Sequence, residues 1–152
     1  MPHTVSVRHN FETAHRLPHL SGKCESLHGH SWWAEITVTC AELAAGTVVE
    51  FGTFKRELRA WIDQHLDHGT MLGPGDPLLP LLRAEGCKTY EVEGWPTVEN
   101  VAEVLAYVAG DVLGDLVRAP GAYVSRVHLA ETHVNAATWE ARTLTVPTGA
   151  VG

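Results

Sequence analysis

The stretch Gly22–Cys40, GKCESLHGHSWWAEITVTC, sets Cys24, Glu25, His28 and His30 within seven positions at the mouth of the β-rich run HSWWAEITVT. Residues two apart on a strand project from the same face, so His28 and His30 present two imidazoles side by side. Upstream, Val5, Val7, His9, Phe11, Thr13 and His15 alternate with polar residues, which predicts a strand from about 3 to 16 with one buried face. The segment LPHLSGKCESLHG then breaks regular structure with Pro18, Ser21 and Gly22. If the two strands pair around this loop, His15 arrives opposite the histidine pair. Three neutral imidazoles leave one position of a tetrahedral zinc ion open, the pattern of a catalytic site. The competing account of H-x-H is a chance pair on a polar strand face. Cys24 lies four residues before His28 and next to Lys23, where a cation and a divalent metal both favour thiolate. Its ordinary alternative is a small buried apolar residue, which is how Cys40 and Cys87 read.

Farther along, Phe54, Leu58, Trp61, Ile62, His65 and Leu66 recur at helical spacing, with Lys55, Arg56, Glu57, Arg59 and Asp63 on the other face. Asp67 and His68 follow directly. An adjacent carboxylate and imidazole can form a proton relay, and a histidine satisfying helix-end carbonyls is the plainer account. The connector 67–96 carries Asp76 as an N-cap and Pro77 at a first helical turn, which predicts a short helix, and KTYEVEGWP offers a brief extended piece. Such a long connector is either functional or partly structured. Thr97 caps a second long helix whose buried stripe is Val98, Val101, Ala102, Leu105, Ala109, Val112, Leu113 and Leu116. The runs YVSRVHLAETH and ATWEARTLTV form a hairpin turning near Asn135. Glu131 shares a face with Val127 and Leu129, so its carboxylate needs a partner: the guanidine-like edge of a ligand, or Arg142 across the hairpin.

The order is ββααββ, an α+β fold with a four-stranded antiparallel sheet and both helices on one face. Its unpaired edges and bare face favour a homo-oligomer. At 152 residues the chain suits a single domain, 1–146, with a short tail at 147–152. No apolar run reaches the roughly 18 residues of a membrane span, and the first residues show no secretory pattern, so we expect a soluble, cytoplasmic protein. The net charge of -7 disfavours non-specific nucleic-acid binding, although a local basic pocket can hold a phosphorylated small molecule. Three cysteines without C-x-x-C spacing argue against a disulfide framework.

FETAHRLPH, KCESLHGHSW, LDHGTML, PTVENVAEVL and HLAET, in that order, resemble the successive motifs of the pyruvoyltetrahydropterin and 6-carboxytetrahydropterin synthase family. The resemblance implies a tunnelling fold whose protomers form trimers that stack as a homohexamer, with sites between subunits. It implies zinc held by His15, His28 and His30, and proton transfer by Cys24 with Asp67 and His68. Glu131 would anchor the pterin, Thr97 and Glu99 would line its pocket, and Lys23 and Arg16 would meet the triphosphate of 7,8-dihydroneopterin triphosphate. The three-residue gap in C-x-x-x-H-G-H favours the 6-carboxytetrahydropterin type, a lyase of 7-deazapurine (queuosine) synthesis that releases acetaldehyde and triphosphate. Glu25 is a possible alternative base, since relatives that make hydroxymethylpterin carry glutamate there in place of the cysteine, and having both resembles dual-function members that run both reactions; it is otherwise a solvated loop carboxylate. A pyruvoyl-forming enzyme and a non-catalytic pterin- or zinc-binding module are the further alternatives. Two departures stand out: Glu50 replaces a common aspartate, and the connector 73–95 is longer than in compact bacterial members.

Overall fold

Strand β1 (His3–His15) and strand β2 (His28–Cys40) pair antiparallel over their whole length, from His3 opposite Cys40 to His15 opposite His28, in the computed structural model, which describes residues 2–142. The expected tail, 147–152, lies outside the described residues. Alternation decides which face is buried: Val7, His9, Phe11, Thr13 and His15 of β1, and Trp32, Ala34, Ile36, Val38 and Cys40 of β2, turn inward. Arg8, Glu12, Ser31 and Trp33, between them in sequence, are exposed on the opposite face.

Helix α1 (Phe51–His65) begins where the Glu50 carboxylate accepts the amides of Gly52 and Thr53, so the longer acid still serves as a cap. Two short strands and a further helix, α2 (Leu78–Ala84), fill the connector before the last helix, α3 (Val98–Gly114), which starts at Thr97, whose hydroxyl accepts the Asn100 amide. Phe54, Leu58 and Ile62 of α1 and Val101, Leu105 and Ala109 of α3 join Phe11, Trp32, Ile36 and Val127 in one apolar core. Both long helices therefore cover the same sheet face. No helix among the described residues is long and apolar enough to cross a membrane.

The connector corrects the expected four-stranded antiparallel sheet and its two helices. After α1 the chain forms β3 (Gly69–Leu72), parallel to β1, then α2 (Leu78–Ala84), then β4 (Thr89–Glu91), parallel to β3. Together with β5 (Tyr123–Ala130) and β6 (Ala136–Glu140), the sheet among the described residues is six-stranded and mixed, in the order β4-β3-β1-β2-β5-β6, with three α-helices. Parallel neighbours require a crossover, and α2 supplies it. The short helix is present as expected but begins one residue later: Pro77 takes the N-cap place expected for Asp76, while the Asp76 carboxylate, just before it, accepts the Leu78 amide. Of the two cysteines read as buried, Cys40 is buried and Cys87 is exposed, because Cys87 falls in the loop after α2.

Candidate metal centre and adjoining cleft

The β1–β2 register sets His15 opposite His28 and Thr13 opposite His30, which brings three imidazoles from two strands to one spot. Their ligand nitrogens all lie within 4.8 Å of one another, with ring centres 4.6 to 5.2 Å apart. His15 Nδ1 lies 2.8 Å from the Pro96 carbonyl and His28 Nδ1 lies 2.6 Å from the Ser26 carbonyl. A carbonyl only accepts, so each Nδ1 carries the proton and each Nε2 is left with a free lone pair. The Nε2 atoms of His15 and His30 are buried with no hydrogen-bond partner. Buried lone pairs without donors are costly unless something else engages them, and three converging imidazoles suit a metal ion. Burial pushes the His15 pKa down to about 4 against the opposing Pro96 bond, and burial likewise lowers that of His30 against the pull of Glu131. Both shifts favour the neutral imidazole, the form that ligates metal. Trp32, fully buried, closes the floor of the site with its ring edge-on to His15 and His30 and its Nε1–H donated to the Thr13 carbonyl.

Glu131, one residue past β5, places its carboxylate oxygens 3.8 Å from His15 Nε2 and 3.7 Å from His30 Nε2. Among the described residues it makes no ion pair with Arg142. A cleft of about 370 Å³ opens beside it, lined among others by Leu17, Leu20, Cys24, Thr97, Glu99 and Glu131. Cys24 reaches this wall from a single helical turn, Lys23–Glu25, whose position is set by the Leu17 amide donating to the Cys24 carbonyl at 2.7 Å.

The other expected site residues lie apart from the cleft. Asp67 Oδ1 accepts the Glu12 amide at 2.8 Å, its Oδ2 lies 2.9 Å from His68 Nδ1, and the His68 amide donates to the Glu12 carbonyl. The carboxylate–imidazole dyad is therefore formed. Burial alone would raise the Asp67 carboxyl pKa, but the Glu12 amide, His68 and Arg59 together hold it below the ordinary range. The His68 side chain is 78% exposed and does not line the cleft. Arg16 is already engaged: its Nε donates to Asp76 Oδ2 at 2.8 Å, and its Nη2 pairs with Asp76 Oδ1. Lys23 and Glu25 are exposed in the turn that carries Cys24. Sequence reasoning missed Trp32, the two carbonyls that aim the imidazoles, and Asp76 as the partner of Arg16. Only Asp76 left a signal, as a helix cap.

Fold and cluster define a small α+β protein with a three-histidine site able to hold a metal ion beside a cleft. A family model described as 6-pyruvoyl tetrahydropterin synthase matches residues 4–142, and the chain belongs to that family. It is 30% identical over 128 residues to the 6-carboxy-5,6,7,8-tetrahydropterin synthase of Rickettsia bellii, an alignment covering 82% of this chain and 91% of that one. Among solved structures, the uncharacterized protein WS1659 from Wolinella succinogenes superposes with a TM-score of 0.78 at 20% identity, covering 93% of this chain and 99% of that one. The 6-pyruvoyl tetrahydropterin synthase of Caenorhabditis elegans does so at 0.66 and 22%, covering 93% and 97%.

Proposed function

We propose that the chain is a zinc-dependent 6-carboxy-5,6,7,8-tetrahydropterin synthase, a lyase that converts 7,8-dihydroneopterin triphosphate to 6-carboxytetrahydropterin with release of acetaldehyde and triphosphate. One observation carries the proposal: two buried, unpartnered Nε2 atoms, those of His15 and His30, lie against a carboxylate, Glu131, that also lines the cleft holding Cys24. The curated relative from Rickettsia bellii bears the corresponding name. His15, His28 and His30 hold the metal in this account, and zinc is the ion that three imidazoles favour. When bound, zinc supplies Lewis acidity that lowers the pKa of substrate hydroxyls and of the carbon beside them.

The chain's own groups do the rest. Glu131 accepts paired N–H bonds from the aminopyrimidine edge of the pterin, with Thr97 and Glu99 along the same wall. Cys24, as thiolate, takes a side-chain proton. His68, oriented by Asp67, handles the companion proton. Its exposure, and its absence from the cleft of its own chain, support a homohexamer in which His68 completes a neighbour's site. Lys23 is the exposed cation nearest in sequence to Cys24 and suits the triphosphate, whereas Arg16 meets it only if it leaves Asp76.

The test is to incubate zinc-loaded protein with dihydroneopterin triphosphate and identify the product by mass spectrometry. Carboxytetrahydropterin is expected. A pyruvoyl compound or a hydroxymethylpterin would replace this assignment with a sister reaction, the latter pointing to Glu25, and an unchanged substrate would leave a binding module. Cys24→Ala is expected to keep zinc and lose turnover by at least the roughly 100-fold typical of a proton-transfer group. Undiminished turnover would remove Cys24 from the mechanism.

A further inference from the structure

We infer that Asn100 is a positioning residue for the metal centre, acting through the Gly94–Trp95 turn and the carbonyl of Pro96. The inference rests on His15, His28 and His30 being metal ligands. The aim and tautomer of His15 depend on its Nδ1–H meeting the Pro96 carbonyl at 2.8 Å. That acceptor is a backbone group, so its place is set by the path of the chain through residues 94–97, and this path is one that the local sequence resists. Trp95 has φ 78°, in the left-handed region that bulky side chains rarely enter. It also precedes a proline, which pushes its neighbour toward extended conformations. Something outside the turn must impose the conformation.

Asn100 does so. Its side-chain nitrogen donates to the Gly94 carbonyl at 2.6 Å and to the Trp95 carbonyl at 3.0 Å. Carbonyls only accept, so the amide NH2 is the group that faces them. Asn100 is itself held in the first turn of α3, with its backbone N–H on the Thr97 hydroxyl. The other end of the connector completes the clamp. The Trp95 ring lies over Gly73, where an added Cβ would collide with Trp95 Cε3, and stacks on His19 with ring centres 4.7 Å apart. Gly73 and Trp95 bound the connector, and through their contact it braces the carbonyl that holds His15.

Asn100→Asp is the sharp variant. It keeps the shape, removes both donors and sets a carboxylate against two carbonyl oxygens. An acid in the first turn of a helix is favourable to the helix dipole, so a loss of metal affinity does not follow from a weakened α3. Gly73→Ala displaces the Trp95 ring from the other side and serves if the first variant does not fold. Neither residue is a proposed ligand or proton-transfer group. The readouts are zinc affinity by chelator competition and the His15 tautomer by long-range 1H–15N spectra of the metal-free protein. Wild type is expected to show a single tautomer protonated on Nδ1. Each variant is expected to bind zinc about tenfold more weakly, the lower end of what outer-shell partners cost, and to show a mixture of tautomers. Unchanged affinity with an unchanged tautomer in a folded variant would overturn the inference alone; a wild-type protein that binds no zinc would overturn it together with the metal assignment.

Discussion

His15 is the most constrained member of the cluster: it is 1% exposed, its Nδ1 is tied to Pro96 and its Nε2 is unpartnered. The three histidines are legible in the sequence because side-chain identity and strand periodicity together say where they point, and Cys24, in a short helical turn, shows through residue type and its spacing from His28. The carbonyls of Ser26 and Pro96 are not, since a backbone acceptor has no signature in residue type. His9 tests the same burial physics away from the metal centre. It is buried on the helix-facing side of β1 with an unpartnered Nε2, and burial, then Arg59 and Lys55, lower its pKa from 6.5. Because the unfolded chain protonates first, His9 lowers stability as pH falls below about 6.5 and has no such effect above it. Urea unfolding at pH 7.5 and 5.5 is expected to show a smaller acid loss for His9→Phe than for wild type. An equal loss in both would mean that His9 takes up its proton as readily folded as unfolded.

Elements with a long period are legible in the sequence through that period, and the short α2 through its Asp76–Pro77 start. β1, β2, α1 and α3 each run 13 residues or more, enough for repeats of 2 or 3.6 to show. β3 has four residues and β4 three; β4 falls in the expected extended piece KTYEVEGWP, whereas β3, and the pairing of both beyond β1, have no local pattern to announce them. What ties this connector to the site loop is the pair formed by Arg16 and Asp76. The Asp76 side chain is wholly buried, and its bond to Arg16 holds its carboxyl below the ordinary range. Arg16→Met leaves that carboxylate without its cation, and stripping one partner from a buried pair costs about 3 kcal/mol at the lower end. Chemical denaturation is expected to show a loss of that order, with the connector first to gain hydrogen exchange. A loss below about 0.5 kcal/mol, the level of an ordinary surface change, would show that the pair does not hold the connector.

At the scale of the molecule, the α+β class and the bare sheet face are readable from residue patterns, but the sheet's true extent is not, because the two strands beyond β1 at one edge come from the connector. Separation of Cys24 from the Asp67–His68 dyad makes an assembly part of the proposed chemistry. Cys24→Ala and His68→Ala proteins are each expected to be inactive. Co-expressed in equal amounts, they are expected to recover activity at about a quarter of sites, the share in which random assortment joins an intact Cys24 to an intact neighbouring His68. No recovery in mixed oligomers would put both groups in one chain's site.

The three-imidazole centre with a place left for substrate is most directly tested by X-ray absorption of the zinc-loaded protein, with and without dihydroneopterin triphosphate. Three histidine nitrogens at about 2.0–2.1 Å and one oxygen ligand that changes when substrate is added are the expected result. A fourth protein ligand that persists in the presence of substrate, or fewer than three histidines on the ion, would contradict it.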